Sequence, residues 1–223
     1  MSDREYILTT HRSRTQRDKY SNFAELASNE QEGRDYRRLM ERRSSKIAII
    51  APHGGGIEPG TSEITKALAG NEFSLYCFEG CKPRENETLH ITSIHFDEPT
   101  CMQLVERSQI VVAVHACASE HEVAYVGGLE EHLKAQVIEA LRSAEFEAQE
   151  DVSDHSGRDI RNICNRGISG RGLQIEIAEG LRRVMFEGLK RHERENKTPL
   201  FDKFVAAVRE VLLKAQGGNT LWT

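Results

Sequence analysis

Strand and helix patterns alternate along most of this chain. Five apolar segments predict strands in its first part: KIAIIA, FSLYCF, LHITSIHF, QIVVAVH and VAYVGG. Helical patterns lie among and after them, over 62–69, 99–108 and 130–142; the segment FEAQE, the strand LQIEI and helices over 159–165, 181–191 and 199–215 follow. Strands separated by helices favour a largely parallel sheet covered by helices on both faces. The sequence therefore predicts one three-layer α/β/α domain with a largely parallel, mixed central sheet.

The two ends of the chain lie outside this alternation. Residues 1–18 show no apolar periodicity and predict a loosely ordered N-terminal extension, and residues 217–223 predict a frayed tail. Over 20–43, charged residues alternate with apolar ones, which predicts short surface helices; the alternative is a DNA-contacting arm. No internal repeat or low-complexity linker supports a further boundary, so residues 19–216 are predicted to form a single domain.

The composition argues against several classes of protein. The net charge of the 223 residues is −5, and no overall basic charge indicates a nucleic-acid partner. The amino terminus is polar and no apolar run is long enough to span a membrane. We therefore expect a cytoplasmic protein as synthesised, with no membrane partner. The five cysteines form no regular array and predict reduced thiols, and a monomer is expected.

Polar residues stand at the ends of two predicted strands and within a third. His53 follows IAIIAP, His115 follows IVVAV, and Glu176 lies within LQIEI. Chemistry in an open parallel sheet takes place just beyond the carboxyl ends of its strands. Burial of an imidazole or a carboxylate is costly unless the group is neutralised or coordinated, and such groups can satisfy one another through a metal. Two histidines and one carboxylate, with an open fourth position, are the usual ligands of a catalytic zinc ion.

The loop after His53 supplies the carboxylate that such a site needs. Three glycines follow His53, and Glu58 stands five positions after it. Consecutive glycines allow backbone conformations closed to other residues and a close approach of the chain to a ligand. The alternative is a tight turn in which Glu58 caps the following helix, a role that Thr61 or Ser62 would fill better. Zinc ligation by His53, Glu58 and His115 is the sharper of the two interpretations.

Seven segments closely resemble one known family. They are IAIIAPHGGGIEPGTSEI, SLYCFEG, LHITSIHFDEP, VVAVHA, YVGGLE, NICNRG and GLQIEIAEGLRR. Together they resemble the poly-γ-glutamate hydrolase family of bacteriophages and prophage regions, and the resemblance extends over nearly the whole chain. Members of that family are zinc-dependent peptidases whose α/β fold is similar to that of the carboxypeptidase A group. The resemblance therefore implies a zinc-carboxypeptidase-like fold and hydrolysis of γ-glutamyl amide bonds.

The resemblance also implies roles for individual residues. It implies one zinc ion per chain on His53, Glu58 and His115, and Glu176 as the catalytic carboxylate that moves the proton of the attacking water to the leaving nitrogen. The carboxypeptidase clan places its first His and Glu three apart. The spacing of five in this chain fits the phage hydrolases instead.

The implied substrate, poly-γ-glutamate, carries a free α-carboxylate on every residue and needs cations in its cleft. Asn165 and Arg166 are the first candidates, because Arg offers a two-pronged donor matched to a carboxylate and Asn can orient it. The carboxypeptidase group uses an Asn-Arg pair between its metal ligands, whereas this pair follows His115. Further candidates for substrate binding are His90, Tyr125 and Arg84, with Arg158 and Arg171 as weaker ones. For each, packing or solvation is the alternative.

Two other functions stay open on the sequence alone. A zinc deacylase of small N-acyl acidic amino acids would use the same metal with a different cleft. A non-enzymatic phage replication or DNA-binding factor would bind nucleic acid in a salt-sensitive way, but the acidic balance after residue 46 argues against it. Without an export signal, a capsule-degrading enzyme would reach its polymer after host lysis.

Overall fold

A computed structural model describes residues 18–153 and 156–218, in which seven strands form one sheet. The strands are β1 (Tyr36–Glu41), β2 (Ile47–Gly55), β3 (Ser74–Gly80), β4 (Ile110–Cys117), β5 (Val123–Gly128), β6 (Glu147–Glu150) and β7 (Leu173–Ala178). Their order is β1-β3-β2-β4-β7-β5-β6. The β1–β3 and β5–β7 pairs are antiparallel and the other four are parallel. The predicted largely parallel, mixed sheet is confirmed.

Helices cover both faces of this sheet. They are α1 (Phe23–Asn29), α2 (Thr61–Ala69), α3 (Pro99–Val105), α4 (Glu131–Ser143), α5 (Glu179–Met185) and α6 (Pro199–Gly217). Short 3₁₀ turns span Asn86–Leu89, Ile163–Arg166 and Glu193–Glu195. One apolar core joins the sheet to α2, α4, α5 and α6, and a second joins it to α1 and α3. The predicted three-layer α/β/α arrangement is therefore confirmed.

The central strands explain why the sheet lies between two layers. In β2, Ile47 and Ile49 belong to one core while Ala48 and Ile50 belong to the other, and all four are fully buried. Successive strand residues point to opposite faces, so a strand that is apolar at every position needs cover on both sides. Each fully buried Ile side chain contributes about 1.5–3 kcal/mol relative to an exposed one.

Two segments differ from the sequence prediction. Residues 36–41 form the edge strand β1 and not a surface helix, because Tyr36 is buried against the sheet while the charged residues after it remain at the solvated edge. The segment LHITSIHF is not a strand. Its backbone makes a 3₁₀ turn and then irregular contacts, such as Thr92 N to Asp18 and Ile163 N to Ser93 O. It nevertheless buries Ile91 in the second core.

The ends of the predicted helices also shift. The helix predicted over 181–191 spans Glu179–Met185, and the one predicted over 159–165 is replaced by the turn Ile163–Arg166. Of the predicted extension and tail, residues 1–17 and 219–223 lie outside the described part of the chain. Among the described helices, none has the length and apolar character needed to cross a membrane. All five cysteines are free thiols.

Candidate metal centre

The loop after β2 is shaped to bring Glu58 back towards His53. The pairing of β2 with β3 shifts register between Ala51 and Gly54, which places His53 at an irregularity of the strand. The loop is closed by a hydrogen bond from Glu58 N to His53 O at 2.9 Å. Gly55 has φ +66°, and a Cβ there would lie 2.5 Å from the Gly80 carbonyl oxygen. Glycine is required at this position by both conformation and space.

His53, Glu58 and His115 meet at the carboxyl edge of the sheet. His53 Nδ1 lies 3.1 Å from both Glu58 Oε1 and His115 Nδ1, and His115 Nδ1 lies 3.6 Å from Glu58 Oε2. Ligands of a tetrahedral zinc ion at 2.0–2.1 Å would be about 3.3 Å apart. The three side chains thus have the separations of ligands that share one small cation.

The positions of the protons support the same interpretation. His53 Nε2 lies 2.8 Å from the Ile91 carbonyl oxygen, which can only accept, so this nitrogen carries the proton. In the neutral ring, Nδ1 then carries a lone pair. This lone pair faces the Glu58 carboxylate, which can only accept, and Nδ1 of His115. His115 Nε2 contacts Ser93 Oγ at 3.3 Å. Lone pairs that converge on one point favour a bound cation, and the residues present fit a metal ion.

Glu58 is held as an anion and does not cap α2. Burial would raise the pKa of its carboxyl, but positive charge on the His53 and His115 rings lowers that pKa below its usual value when they are protonated, and a bound cation would act in the same direction when they are neutral. Glu58 Oε2 accepts a hydrogen bond from Ala116 N at 2.9 Å. Gly60 is the N-cap residue of α2. The helix-capping alternative for Glu58 therefore has no support from its contacts.

A second carboxylate lies beside this cluster. Glu176 is paired in register with His115 on β4 and with Tyr125 on β5, so the three side chains share one face of the sheet. Gln174 Nε2 donates to Glu176 Oε1 at 3.2 Å. Burial raises the pKa of Glu176 well above its ordinary value, and the charge of Glu58 adds to this shift. A cation in the cluster would lower the pKa of Glu176 again, because a nearby positive charge favours the ionised carboxylate.

Tyr125 is nearly buried, with 6% of its surface exposed. Burial raises the pKa of its hydroxyl, which hydrogen-bonds the Ser119 side chain. The register with Glu176 places Tyr125 next to the cluster.

His90 joins the site from the irregular segment after the Asn86–Leu89 turn. Its ring centroid lies 3.9 Å from that of His53, and its Nδ1 contacts Asp18 Oδ1 at 2.7 Å. His53, Glu58 and His90 each offer one ligand atom within 4.8 Å of the others, so His90 is also within reach of a metal. Burial would raise the pKa of Asp18, but hydrogen bonds from His90 and Thr92 lower it to about 2. The sequence analysis placed Asp18 in the extension and gave no signal for this contact.

The Asn165 side chain is fully hydrogen-bonded to the backbone, and that of Arg166 is so in part. Asn165 is 3% exposed, and its amide nitrogen donates to the carbonyls of Gly157 and Asp159 at 2.6 and 2.9 Å. Both amide hydrogens are thereby used, and none remains for a substrate carboxylate. Arg166 donates to the Phe96 carbonyl at 3.1 Å. These contacts remove Asn165 as a donor to a carboxylate, whereas Arg166 keeps Nε and Nη2 for one, so its role in substrate binding stays a prediction.

The remaining candidate arginines differ in whether an acidic partner already neutralises them. Arg158 is paired with Glu150, and Arg171 lies 3.8 Å from Glu130. Arg84 is exposed and makes no ion pair with any residue of the described ranges. It follows β3, whose carboxyl end lies at the same edge as that of the parallel strand β2. Arg84 is thus the candidate whose charge is available at the edge that carries the cluster.

Arg182, which the sequence did not single out, contacts the three segments that carry Glu58, His115 and Glu176. Arg182 on α5 is 4% exposed and donates to three main-chain carbonyls. The acceptors are Ile177 O at 3.0 Å, Pro59 O at 2.6 Å and Cys117 O at 2.9 Å. Burial lowers the pKa of its guanidinium below its usual value. In the sequence, Arg182 lies in the segment GLQIEIAEGLRR, whose resemblance to the family implies no role for this residue.

The fold and the site together define a class. A three-layer α/β/α domain gathers two histidines and a carboxylate at the carboxyl edge of its sheet, with a second, partly buried carboxylate alongside. This is the architecture of a metal-dependent hydrolase. The chain belongs to the poly-γ-glutamate hydrolase family, whose sequence profile matches residues 20–207.

Similar proteins agree with this assignment. UPF0714 protein YmaC of Bacillus subtilis strain 168 is 37% identical over 202 residues, which are 89% of this chain and 86% of that protein. A bacteriophage poly-γ-glutamate hydrolase structure has a TM-score of 0.86 and 31% identity, covering 90% of this chain and 99% of that one. A zinc-free form of YndL has a TM-score of 0.85 and 35% identity, covering 89% of this chain and 99% of that one.

Proposed function

We propose that this protein is a zinc-dependent hydrolase of the γ-glutamyl amide bonds of poly-γ-glutamate, with one zinc ion per chain. The observation that carries the proposal is the convergence of His53 Nδ1, His115 Nδ1 and the Glu58 carboxylate within 3.1–3.6 Å of one another. The family and the relatives supply the substrate class: a similar phage protein is a poly-γ-glutamate hydrolase, and a similar YndL structure is described as zinc-free.

A zinc ion held by His53, Glu58 and His115 would supply a Lewis acid for the amide carbonyl and lower the pKa of a bound water. Glu176 accepts the proton of the attacking water and delivers it to the leaving nitrogen as the carbon–nitrogen bond breaks. Its burial suits a carboxyl that must both take and give a proton near neutral pH. Tyr125 lies on the same face, where its hydroxyl can stabilise the developing oxyanion.

The polymer carries one carboxylate per residue, and the protein needs cations to hold it. Arg84 is the best supported candidate, because its side chain is exposed, unpaired among the described residues and at the edge of the cluster. His90 can bind substrate or orient a ligand from its place against His53. We assign Asn165 a structural role, since both of its amide hydrogens are used by backbone carbonyls, and we keep Arg166 as a substrate-binding candidate because only its Nη1 donates to a carbonyl.

The test is the size distribution of purified poly-γ-glutamate after incubation with the protein, alongside metal analysis of the same sample. Glu176→Gln is the matched control, because it should keep zinc and lose turnover. α-Linked polyglutamate provides a substrate of equal charge without the γ-amide. We expect one zinc per chain and chelator-sensitive shortening of the γ-polymer alone.

The other outcomes decide between functions. Stoichiometric zinc without shortening, together with turnover of small N-acyl acidic amino acids, would replace the polymer with the deacylase substrate. Absence of zinc under saturating conditions would overturn the assignment of His53, Glu58 and His115 as ligands. Salt-sensitive binding of DNA by a zinc-free protein would instead favour the non-enzymatic class.

A further inference from the structure

We infer that Arg182 is a positioning residue that holds the three catalytic segments of the site in register with one another. This inference rests on the proposed function of the same site and extends it to a residue outside the metal ligands and the catalytic carboxylate. Its basis is the set of three main-chain carbonyls that the buried guanidinium contacts.

Each acceptor is a close neighbour of a functional residue along the chain. Pro59 directly follows Glu58, Ile177 directly follows Glu176, and Cys117 lies two residues after His115. These acceptors belong to the loop after β2 and to the carboxyl ends of β7 and β4. Three separate segments are therefore hydrogen-bonded to one planar guanidinium group.

The chemistry of the side chain suits this task. Guanidinium is planar, and its Nε, Nη1 and Nη2 atoms donate in fixed, divergent directions, so each carbonyl is held by a different nitrogen of Arg182. A lysine could offer donors from only one atom. The relative positions of Pro59, Cys117 and Ile177 are thus tied to the geometry of one planar group.

The surroundings keep Arg182 in place. A Cβ on Gly60 would lie 3.4 Å from Arg182 Cδ and 3.1 Å from the Phe186 ring, so the chain passes closely over the arginine stem. Gly60 has φ +104°, a conformation that side chains rarely adopt. The loop that carries Glu58 is therefore packed against Arg182 as well as hydrogen-bonded to it.

The burial of a cation without a carboxylate partner in hydrogen-bond contact is costly by itself. All the hydrogen bonds that the structure gives the Arg182 side chain go to carbonyls, and the charges of Glu58 and Glu179 attract it from further away. An apolar residue could fill the same volume without burying a charge, but it would leave the carbonyls of Pro59, Cys117 and Ile177 without this donor. The arrangement is explained if Arg182 contributes to site geometry in addition to stability.

The experiment compares Arg182→Met with Arg209→Met in the full-length protein. Arg209 is the control, because its guanidinium also donates to main-chain carbonyls, those of Ala67 and Leu68, and it differs from Arg182 in its ion pair with Glu72. Zinc affinity is measured by competition with a chromogenic chelator, and kcat and KM are measured on the polymer. For Arg182→Met we expect zinc affinity to fall about 10–100-fold. We expect kcat to fall about 100-fold with KM little changed, because a shift of about 1 Å in catalytic groups has this effect.

Two further measurements separate positioning from simple stability. Methylguanidinium added to Arg182→Ala should restore part of the zinc affinity and of kcat, and it should leave Arg209→Ala unaffected. Arg182→Lys, which keeps the charge and most of the stem, should fall between the wild type and Arg182→Met in zinc affinity. This variant also serves as the comparison if Arg182→Met fails to fold.

The outcomes distinguish this inference from the proposed function. Equal zinc affinity and kcat in Arg182→Met and the wild type would overturn the positioning role. So would losses in Arg182→Met that match those of Arg209→Met, because both would then follow from lower stability. A wild-type protein that binds zinc but leaves the polymer intact would contradict the proposed substrate, while the zinc affinities would still test Arg182.

Discussion

Two carboxylates near the same edge of the sheet, one buried and one partly buried, have opposite surroundings. Glu79, at the end of β3, is 3% exposed and accepts hydrogen bonds from Lys66 Nζ at 2.6 Å and from Arg37. Glu58, after β2, faces the nitrogens of His53 and His115. Glu79 has its cations within the protein, whereas Glu58 is surrounded by groups that can share a cation from outside. The partners of a buried carboxylate, more than its burial, thus separate a structural ion pair from a metal centre.

The largest expected effect is that of removing a ligand. His115→Ala leaves His53 and Glu58 without their third partner, and we expect zinc to be lost on dialysis and polymer cleavage to fall to background. Metal analysis and the polymer assay measure the two effects. Cleavage that persists in metal-free His115→Ala would remove the distinction between Glu58 and Glu79.

A smaller loss is expected when the metal stays and the proton carrier changes. Glu176→Gln keeps the shape of the side chain but cannot accept a proton, so kcat should fall about 10²–10⁴-fold. Zinc content should equal that of the wild type. Retention of more than a few per cent of the activity would show that another group moves the proton.

The converse variant tests the structural carboxylate. Glu79→Gln leaves Lys66 and Arg37 without their anion, and we expect the free energy of unfolding to fall by about 2–4 kcal/mol. We place this loss in the lower part of the usual range for breaking a fully buried ion pair, because the Arg37 side chain is largely exposed. Denaturant unfolding measures the loss. Zinc affinity should not change, and a parallel fall in zinc affinity would contradict the separate roles of the two carboxylates.

The smallest effect is expected for Asp18. Its carboxylate contacts the His90 imidazole, as Glu58 contacts imidazoles, but like Glu79 it has its partner within the protein. Its pKa is lowered from 3.8 to about 2 in the folded protein. A lowered pKa means that the carboxylate stabilises the fold above pH 3.8 and that this contribution is lost as the pH falls towards 2. We expect the unfolding free energy of metal-free Asp18→Asn to depend less on pH in this window. An unchanged pH dependence would exclude an interaction of Asp18 with His90 and Thr92.

The sequence predicts the layers of the fold better than their edges. β2 and β4 are apolar at nearly every position, and such runs fit few places other than the centre of a parallel sheet. The edge strand β1 and the segment after residue 89 carry mixed patterns that local propensity does not resolve. Their conformations depend on pairing with β3 and on the distant side chain of Asp18.

The same contrast holds within the site. Residues that stand at strand ends, such as His53 and His115, can be located because the topology brings those ends together. Asn165 has a suggestive sequence context, but its amide is used by the backbone around it. Arg182 has an ordinary context, and its importance arises from contacts with residues 5, 65 and 123 positions away in the chain. Such contacts have no local signature.

The contacts of Arg182 with residues distant in the chain limit when the site can assemble during synthesis. Its bond to Pro59 closes a separation of 123 residues, and Glu176 enters the site only shortly before it along the chain. Contacts of such high sequence separation form late, because the intervening chain must first be ordered. A nascent chain that has released His53, Glu58 and His115 from the ribosome thus still lacks Glu176 and Arg182, to which we assign proton transfer and the alignment of the centre. On that assignment, we expect cleavage activity only after most of the domain has been synthesised and folded.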